Sequence, residues 1–180
     1  MRKTILLIFC GLPFAGKTTL ANELVKRFGF VRIDLDEING ERGLGGLSND
    51  EISNEDWQET YQISYERTEH LLREGKTVIN DTANFTREQR DKLRAIARKV
   101  GVDSIVIYVN VPESVARQRW QNNRLTKLRY DLRDEDFAEV ADNFQHPTED
   151  ENILQYDQTT SVNEWIKQNL AMYENSDLHK

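Results

Sequence analysis

Apolar positions fall in short blocks along the chain, and the spacing within the blocks switches between that of strands and that of helices. Thr4 to Cys10 is a nearly unbroken apolar run rich in Ile and Leu, which predicts a central parallel strand covered on both faces. Leu20, Ala21, Leu24, Val25 and Phe28 then recur at helical spacing, and Gly29 supplies the stop. Phe30 to Leu35 reads as a second strand. Trp57, Tyr61, Tyr65, Thr68 and Leu72 step along one face of a helix closed by Gly75, and this aromatic stripe is read as core rather than as a base-stacking platform.

The same alternation continues to the end of the chain. Lys76 to Asp81 predicts a third strand, and Thr86-Arg-Glu-Gln89 forms a capping box opening a helix that buries Leu93, Ile96, Ala97 and Val100 before Gly101. Ser104 to Val111 is the fourth strand, and Pro112 begins a helix running to about Asn122. Ile153 to Tyr156 is a short fifth strand, followed by a helix carrying Val162, Trp165, Ile166 and Leu170. Strands alternating with helices predict parallel βαβ units. The expected fold is therefore α/β: three layers, α/β/α, around a five-stranded parallel sheet, as one domain over residues 1–173. A small helical lid is expected at about 117–147, and residues 174–180 read as a polar tail.

Composition narrows the classes. The chain has 180 residues, 38% hydrophobic and 31% charged, the balance of an ordinary globular protein. No apolar run approaches the ~20 residues a bilayer span needs. Cys10 is the single cysteine and His70, His146 and His179 are far apart, so neither an internal disulfide nor a local metal motif is expected, and the reading is a cytoplasmic protein. The formal net charge of −7 weighs against non-specific nucleic-acid binding, although it does not forbid a local basic groove.

The first twenty residues can be read in two ways. Arg2 and Lys3, an apolar run and small residues at Gly11 and Ala15 resemble a secretory leader. The stretch Gly11-Leu12-Pro13-Phe14-Ala15-Gly16-Lys17-Thr18, however, matches G-x-x-x-x-G-K-[ST] in full, between a predicted strand and a predicted helix. The leader reading loses to a phosphate loop. Its glycines let successive N–H groups face phosphate oxygens at a helix N-terminus, Lys17 reaches the β- and γ-phosphates, and the Thr18 hydroxyl is a Mg²⁺ ligand, with Thr19 beside it.

Ligands in an open parallel sheet sit beyond the carboxyl ends of the strands, and two of those ends carry acids. In Arg32-Ile-Asp34-Leu-Asp36-Glu37 a strand period of two puts Asp34 and Asp36 on one side. One would take the proton of an attacking hydroxyl and the other would orient Mg²⁺; the alternative is that Asp36 caps a helix. Asp81 ends the third strand, where a metal-holding acid is expected, or else a turn residue. Arg117, Arg119 and Arg124, followed by Lys127, Arg129 and Arg133, form the densest basic stretch. Arg117 and Arg124 share a helix face, either as a solvated surface or as guanidiniums that neutralise a transferred phosphoryl group. Asn39-Gly-Glu-Arg-Gly-Leu-Gly-Gly46 reads as a mobile loop, either an ordinary solvated one or a cover for a substrate.

In order along the chain, GLPFAGKTT, DLDEI, VINDTANFTREQR, VDSIVIYVNVPESVARQRWQNNR and FQHPTEDE resemble the P-loop kinases grouped with polynucleotide 5′-hydroxyl kinases, chloramphenicol phosphotransferase and zeta-toxin-like enzymes, over roughly residues 3–170. The resemblance implies ATP and Mg²⁺ as cofactors, Asp36 as general base, Asp81 as the strand-end acid, Asn84 and Arg90 as a paired segment, and Arg117, Arg119 and Arg124 as lid arginines. Polynucleotide kinases commonly carry an Arg three residues after the base; Asn39 stands there, unless Arg42 substitutes. In the late segment, Asn152 and Ile153 replace a Gly-Phe pair.

The sequence therefore predicts an ATP- and Mg²⁺-dependent kinase acting on a small hydroxyl compound. Its expected catalytic residues are Asp36, Lys17, Arg117 and Arg124, with Arg119 among those holding the nucleotide and Thr18, Asp34 and Asp81 at the metal. The rivals are a polynucleotide 5′-hydroxyl kinase and a nucleotide-driven switch without an acceptor. A GTPase is disfavoured by the lack of an N-K-x-D segment.

Overall fold

Every residue of the first strand, β1 (Ile5–Cys10), is buried, because strands flank it on both sides and helices cover both faces. The computed structural model describes residues 3–126 and 132–173. The other strands are β2 (Val31–Ile33), β3 (Val78–Asn80), β4 (Asp103–Val109) and β5 (Ile153–Tyr156). All pair in parallel, in the order β2-β3-β1-β4-β5. The expected α/β sheet is thus the one observed.

Alternate residues of β1 serve two cores. Leu7 and Phe9 pack with Leu20, Leu24 and Phe28 of α1 (Lys17–Phe28) and with Trp165 and Ile166 of α7 (Val162–Asn169). Leu6, Ile8 and Cys10 pack on the other face with Leu72 of α3 (Asn54–Arg73) and Leu93 and Ala97 of α4 (Arg87–Val100). Truncating any of these leucines would cost about 2–5 kcal/mol. Burial drives the Cys10 thiol up to about 12, so it is an inert part of this core.

Helix ends follow local chemistry. Thr86 and Gln89 make the reciprocal capping box expected at the start of α4, and Gly29 and Gly101 close α1 and α4 in left-handed conformations.

Several elements differ from the sequence reading; β3 and β4 both stop short of their expected ends at Asp81 and Val111. β2 stops at Ile33, because the Asp34 carboxylate accepts from the Asp36 and Glu37 N–H groups and starts a short helix, α2 (Leu35–Glu41). The helix α5 (Glu113–Thr126) runs a turn further than expected. A further helix, α6 (Asp134–Asn143), is anchored by the buried ring of Phe137, which stacks on Trp120 at 5.0 Å. Lys127, Arg129 and the 174–180 tail lie outside the described residues.

The aromatic stripe of α3 is the other correction. Its buried face is Thr60, Ser64, Thr68 and Leu72, while Trp57, Tyr61 and Tyr65 are half-buried one position away. The small hydroxyls satisfy themselves against neighbouring groups: Thr68 on Ser64 O at 2.7 Å and Thr60 on Asn39 Oδ1 at 2.6 Å. Tyr65 packs against the core on that side of the sheet, as expected, whereas Trp57 and Tyr61 are left beside a cavity. No helix of the described residues is long and apolar enough to cross a membrane.

Candidate functional site

The turn between β1 and α1 passes so close to β4 that Gly11 has no room for a side chain. At φ 141° a Cβ there would lie 2.4 Å from Val109 O. Gly16 is required by its left-handed backbone, φ 105°, and the end of the Gln158 side chain also approaches it, Nε2 lying 2.8 Å from where a Cβ would sit. Gly16 precedes the first residue of α1, where no side chain caps the helix start. Its N–H groups and dipole make this turn an anion cradle.

Lys17 Nζ lies over the mouth of the cradle, donating to Gly11 O at 2.8 Å and Leu12 O at 2.9 Å, with the Phe85 ring centroid 5.8 Å away. On one flank the exposed Arg119 of α5 donates to Ala15 O at 3.0 Å and to Gln158 Oε1 at 2.6 Å, while Gln158 Nε2 donates to the same Ala15 O at 2.6 Å. These groups border a cavity of about 490 Å³ that also takes in Phe14, Thr19, Asn122, Asn123 and Tyr156. Gln158 was not legible as a site residue, since it follows the last strand without any motif.

Beneath the other flank, the β2 and β3 ends are in register, Ile33 opposite Asn80, and Asp81 N donates to Ile33 O at 3.0 Å. Asp81 and Asp34 therefore leave the sheet side by side. Arg32 joins them: its Nε is 3.0 Å from Asp81 Oδ2, its Nη2 pairs with Asp34, and its Nη1 donates to Asn22 of α1 at 3.2 Å. Burial pushes the Asp81 carboxyl above its ordinary range, against the pull of the Lys17 and Arg32 charges and of a hydrogen bond from the Thr18 hydroxyl.

Thr18 and Asp81 together offer the hard oxygen donors that Mg²⁺ prefers, and their contact fits such an ion. No group of three or more His, Cys, Asp or Glu that could hold a metal occurs among the described residues, so phosphate oxygens and water would complete the shell. Asp34 departs from its expected part. It caps α2 and pairs with Arg32, so it does not share a strand face with Asp36.

Asp36 is exposed in the first turn of α2 and lines a cavity of about 210 Å³ with Gly45, Gly46, Asn49 and Trp57. A larger cavity of about 720 Å³ adjoins it, sharing Asn49, Ile52 and Trp57 and walled by Tyr61 and Phe85. Phe85, bordering the large cavity and facing Lys17, links it to the phosphate loop. The glycine-rich segment thus does border this space. Arg42 does not substitute for the residue replaced by Asn39: it donates to Asp56 O at 2.6 Å and Thr60 Oγ1 at 2.7 Å and pairs with Asp56 and Glu59.

The expected arginine group divides. Arg119 reaches the loop, whereas Arg117 lies over the Phe137 ring at 4.7 Å and pairs with Glu113, and Arg124 lies over Trp120 at 4.3 Å. With the rings stacked between them, these two guanidiniums bracket the junction of α5 and α6. Asn84 and Arg90 are buried supports: Asn84 Nδ2 donates to Phe9 O at 3.0 Å, and Arg90 pairs with Glu151.

A family model described as AAA domain matches residues 6–147, most of the chain. No curated protein matches in sequence. Among solved structures the fold is similar to the Mycobacterium tuberculosis APS kinase in complex with AMPPNP and APS, at 17% identity and TM-score 0.68, covering 97% of this chain and 99% of that one. It is similar to Chaetomium thermophilum Kti12 in complex with ADP-AlF3, at 16% identity and TM-score 0.70, covering 93% and 98%. A Sinorhizobium meliloti gluconokinase, at 18% identity and TM-score 0.60, covers 96% and 91%. At such identities the likeness is one of fold.

Proposed function

The chain belongs to the AAA domain family, with a phosphate loop and five-stranded parallel sheet, and from that premise we propose that it is an ATP-dependent kinase of a small hydroxyl compound. The observation that carries the reading is the pair of adjoining cavities that run from Asp36 to Phe85 beside Lys17. A nucleotide switch needs the cradle but no such second chamber. The kinase neighbours support the same class at the level of fold.

In this reading the acceptor oxygen attacks the γ-phosphorus and the new O–P bond forms. The bond from that phosphorus to the β,γ-bridging oxygen breaks, its electron pair leaves with ADP, and the hydroxyl proton passes to the Asp36 carboxylate. Loop N–H groups hold the β-phosphate, and Lys17 neutralises charge on the transferred group. Arg119 and Gln158 shape the nucleotide side from the cavity they border. Mg²⁺, held by Thr18 and Asp81, would supply charge neutralisation across the phosphates. The helices α5 and α6 would form the lid over the bound substrates, with Arg117 and Arg124 stacked on the Phe137 and Trp120 rings that join them.

The small-acceptor reading over the polynucleotide one rests on charge. Arg42 is tied to α3, Asn39 is buried against Thr60, and Asp50, Asp136 and Glu139 line the large cavity, an unfavourable channel for a phosphate backbone. The test is transfer of labelled γ-phosphate from Mg·ATP to pooled hydroxyl compounds and to 5′-hydroxyl oligonucleotides, with Lys17→Ala beside the wild type. Label on a small compound that disappears in the variant is expected. Label on the oligonucleotide alone would overturn the small-acceptor reading, and ATP hydrolysis insensitive to every acceptor would overturn the kinase reading.

A further inference from the structure

The walls of the large cavity are more specific than a generic hydroxyl acceptor requires. Trp57 and Tyr61 stand with ring centroids 6.3 Å apart, half-buried, on the side of α3 that faces the cavity, and Phe85 closes the end nearest Lys17. These rings stay half-buried at the cavity while the fully buried face of the helix is made of Thr60, Ser64 and Thr68. An ordinary amphipathic helix would turn the aromatic groups inward. Burial holds the Tyr61 phenol up to about 12, so that ring stays neutral.

Three carboxylates line the same space: Asp50, Asp136 and Glu139. Among the described lining residues Arg133 is the one cation, and it is engaged by two of the three, Asp50 at 3.1 Å and Asp136 at 2.8 Å. Including Asp36 in the adjoining chamber, the charge facing an acceptor is negative. An anionic acceptor would be repelled, and a neutral polyol, which can stack on the rings and donate hydroxyls to the carboxylates, would leave the net negative charge of the wall uncompensated. A cation is attracted by both kinds of wall, by the ring quadrupoles and by the carboxylates.

We propose that the acceptor carries an ammonium group: an amino alcohol or amino sugar whose cation lies between the Trp57–Tyr61 rings and the Glu139 carboxylate, with its hydroxyl toward Asp36. This rests on the kinase reading above, and the transfer step is the one given there. Specificity then belongs to the large cavity and proton removal to the small one.

The experiment uses the full chain, Mg·ATP labelled at the γ-phosphate, and matched acceptors. Ethanolamine, choline, glucosamine and kanamycin form the cationic set; ethylene glycol, glucose and N-acetylglucosamine the neutral set; gluconate the anionic one. Label is expected on at least one cationic compound, at least tenfold faster than on its neutral counterpart at equal concentration. Reversing the exposed wall charge with Glu139→Lys is expected to raise KM for that cationic acceptor about tenfold and to leave KM for a neutral acceptor within twofold. Faster labelling of the neutral or anionic set overturns the inference and leaves the kinase reading standing. Labelling of no compound in any set, with ATP still bound, overturns both. An unaltered KM in Glu139→Lys, whose fold is checked by thermal unfolding, removes the carboxylate wall from the recognition.

Discussion

Arg90 and Glu151, 61 residues apart in the chain, meet in a fully buried double contact: Arg90 Nε is 2.7 Å from Glu151 Oε2 and Arg90 Nη2 is 3.1 Å from Oε1. Arg90 also donates to Asn84 O at 3.2 Å, and Glu151 accepts from Thr148 N at 3.0 Å. The pair therefore ties the segment after β3, which carries Asp81 and Phe85, to the turn before β5. It acts on the site through the backbone it holds.

Removing one partner leaves the other charge buried, so Glu151→Ala should cost about 3–5 kcal/mol, read by urea denaturation. Burial alone would raise the Glu151 carboxyl, but the Arg90 and Thr148 hydrogen bonds and the Arg90 and Arg87 charges hold it below its ordinary range. A lowered folded-state pKa contributes stability that is present above the unfolded value and lost as pH falls through the folded one. The wild type should accordingly lose stability below roughly pH 4 more steeply than Glu151→Gln. Parallel acid titrations of the two would refute this.

Asp36 and Asp34 should separate cleanly in kinetics. Asp36→Asn is expected to keep ATP affinity and lower phosphoryl transfer about 10²–10⁴-fold. Asp34→Ala, which removes the cap of α2 and one partner of Arg32, should lower stability by about 0.5–2 kcal/mol and shift transfer less than Asp36→Asn does. Equal transfer losses in the two variants, compared at matched folded fraction, would deny Asp36 a distinct part in proton removal.

This division was only half visible in the sequence. The phosphate loop, β1, β5 and the α4 capping box were legible because their signals are local: residue spacing, an apolar run, a reciprocal cap. The end of β2 was not, because period-two alternation through Asp34 and Asp36 continues on paper while the Asp34 side chain diverts the backbone into a helix. Arg32, Gln158 and Phe85 went unnoticed because their partners lie far off in sequence, although a charged residue inside the strand Val31–Ile33 was a usable signal. The α3 aromatics misled for a related reason. Periodicity shows which residues share a face, but tertiary packing decided that the hydroxyl face went inward.

Asp81 should reveal a trade between stability and function. Its folded-state pKa is raised, chiefly by burial, so its contribution to stability is present below the unfolded value and lost as pH rises through the folded one. Above that window, the cost of burying the charge counts against folding. Asp81→Asn is expected to unfold at a temperature equal to or above the wild type at pH 7, with that advantage vanishing near pH 3, while Mg²⁺-dependent transfer falls at least tenfold. A variant less stable at pH 7 would mean that the Arg32 and Thr18 contacts outweigh desolvation.

The arginines of α5 offer the sharpest separation between nucleotide contact and lid architecture. Arg119 bonds the loop carbonyl of Ala15 and Gln158, so Arg119→Ala should raise the KM for ATP about tenfold and leave stability within about 0.5 kcal/mol, as for an exposed side chain. Arg117 lies on the Phe137 ring, so Arg117→Ala should instead lower stability by about 0.5–2 kcal/mol through lost cation–π contact and packing. Steady-state kinetics alongside thermal unfolding distinguishes the two. If Arg117→Ala proves neutral to folding yet lowers kcat at least as much as Lys17→Ala, then its guanidinium leaves the ring and meets the transferred phosphoryl group when the lid closes, and the stacked arrangement is the open state of a moving arm.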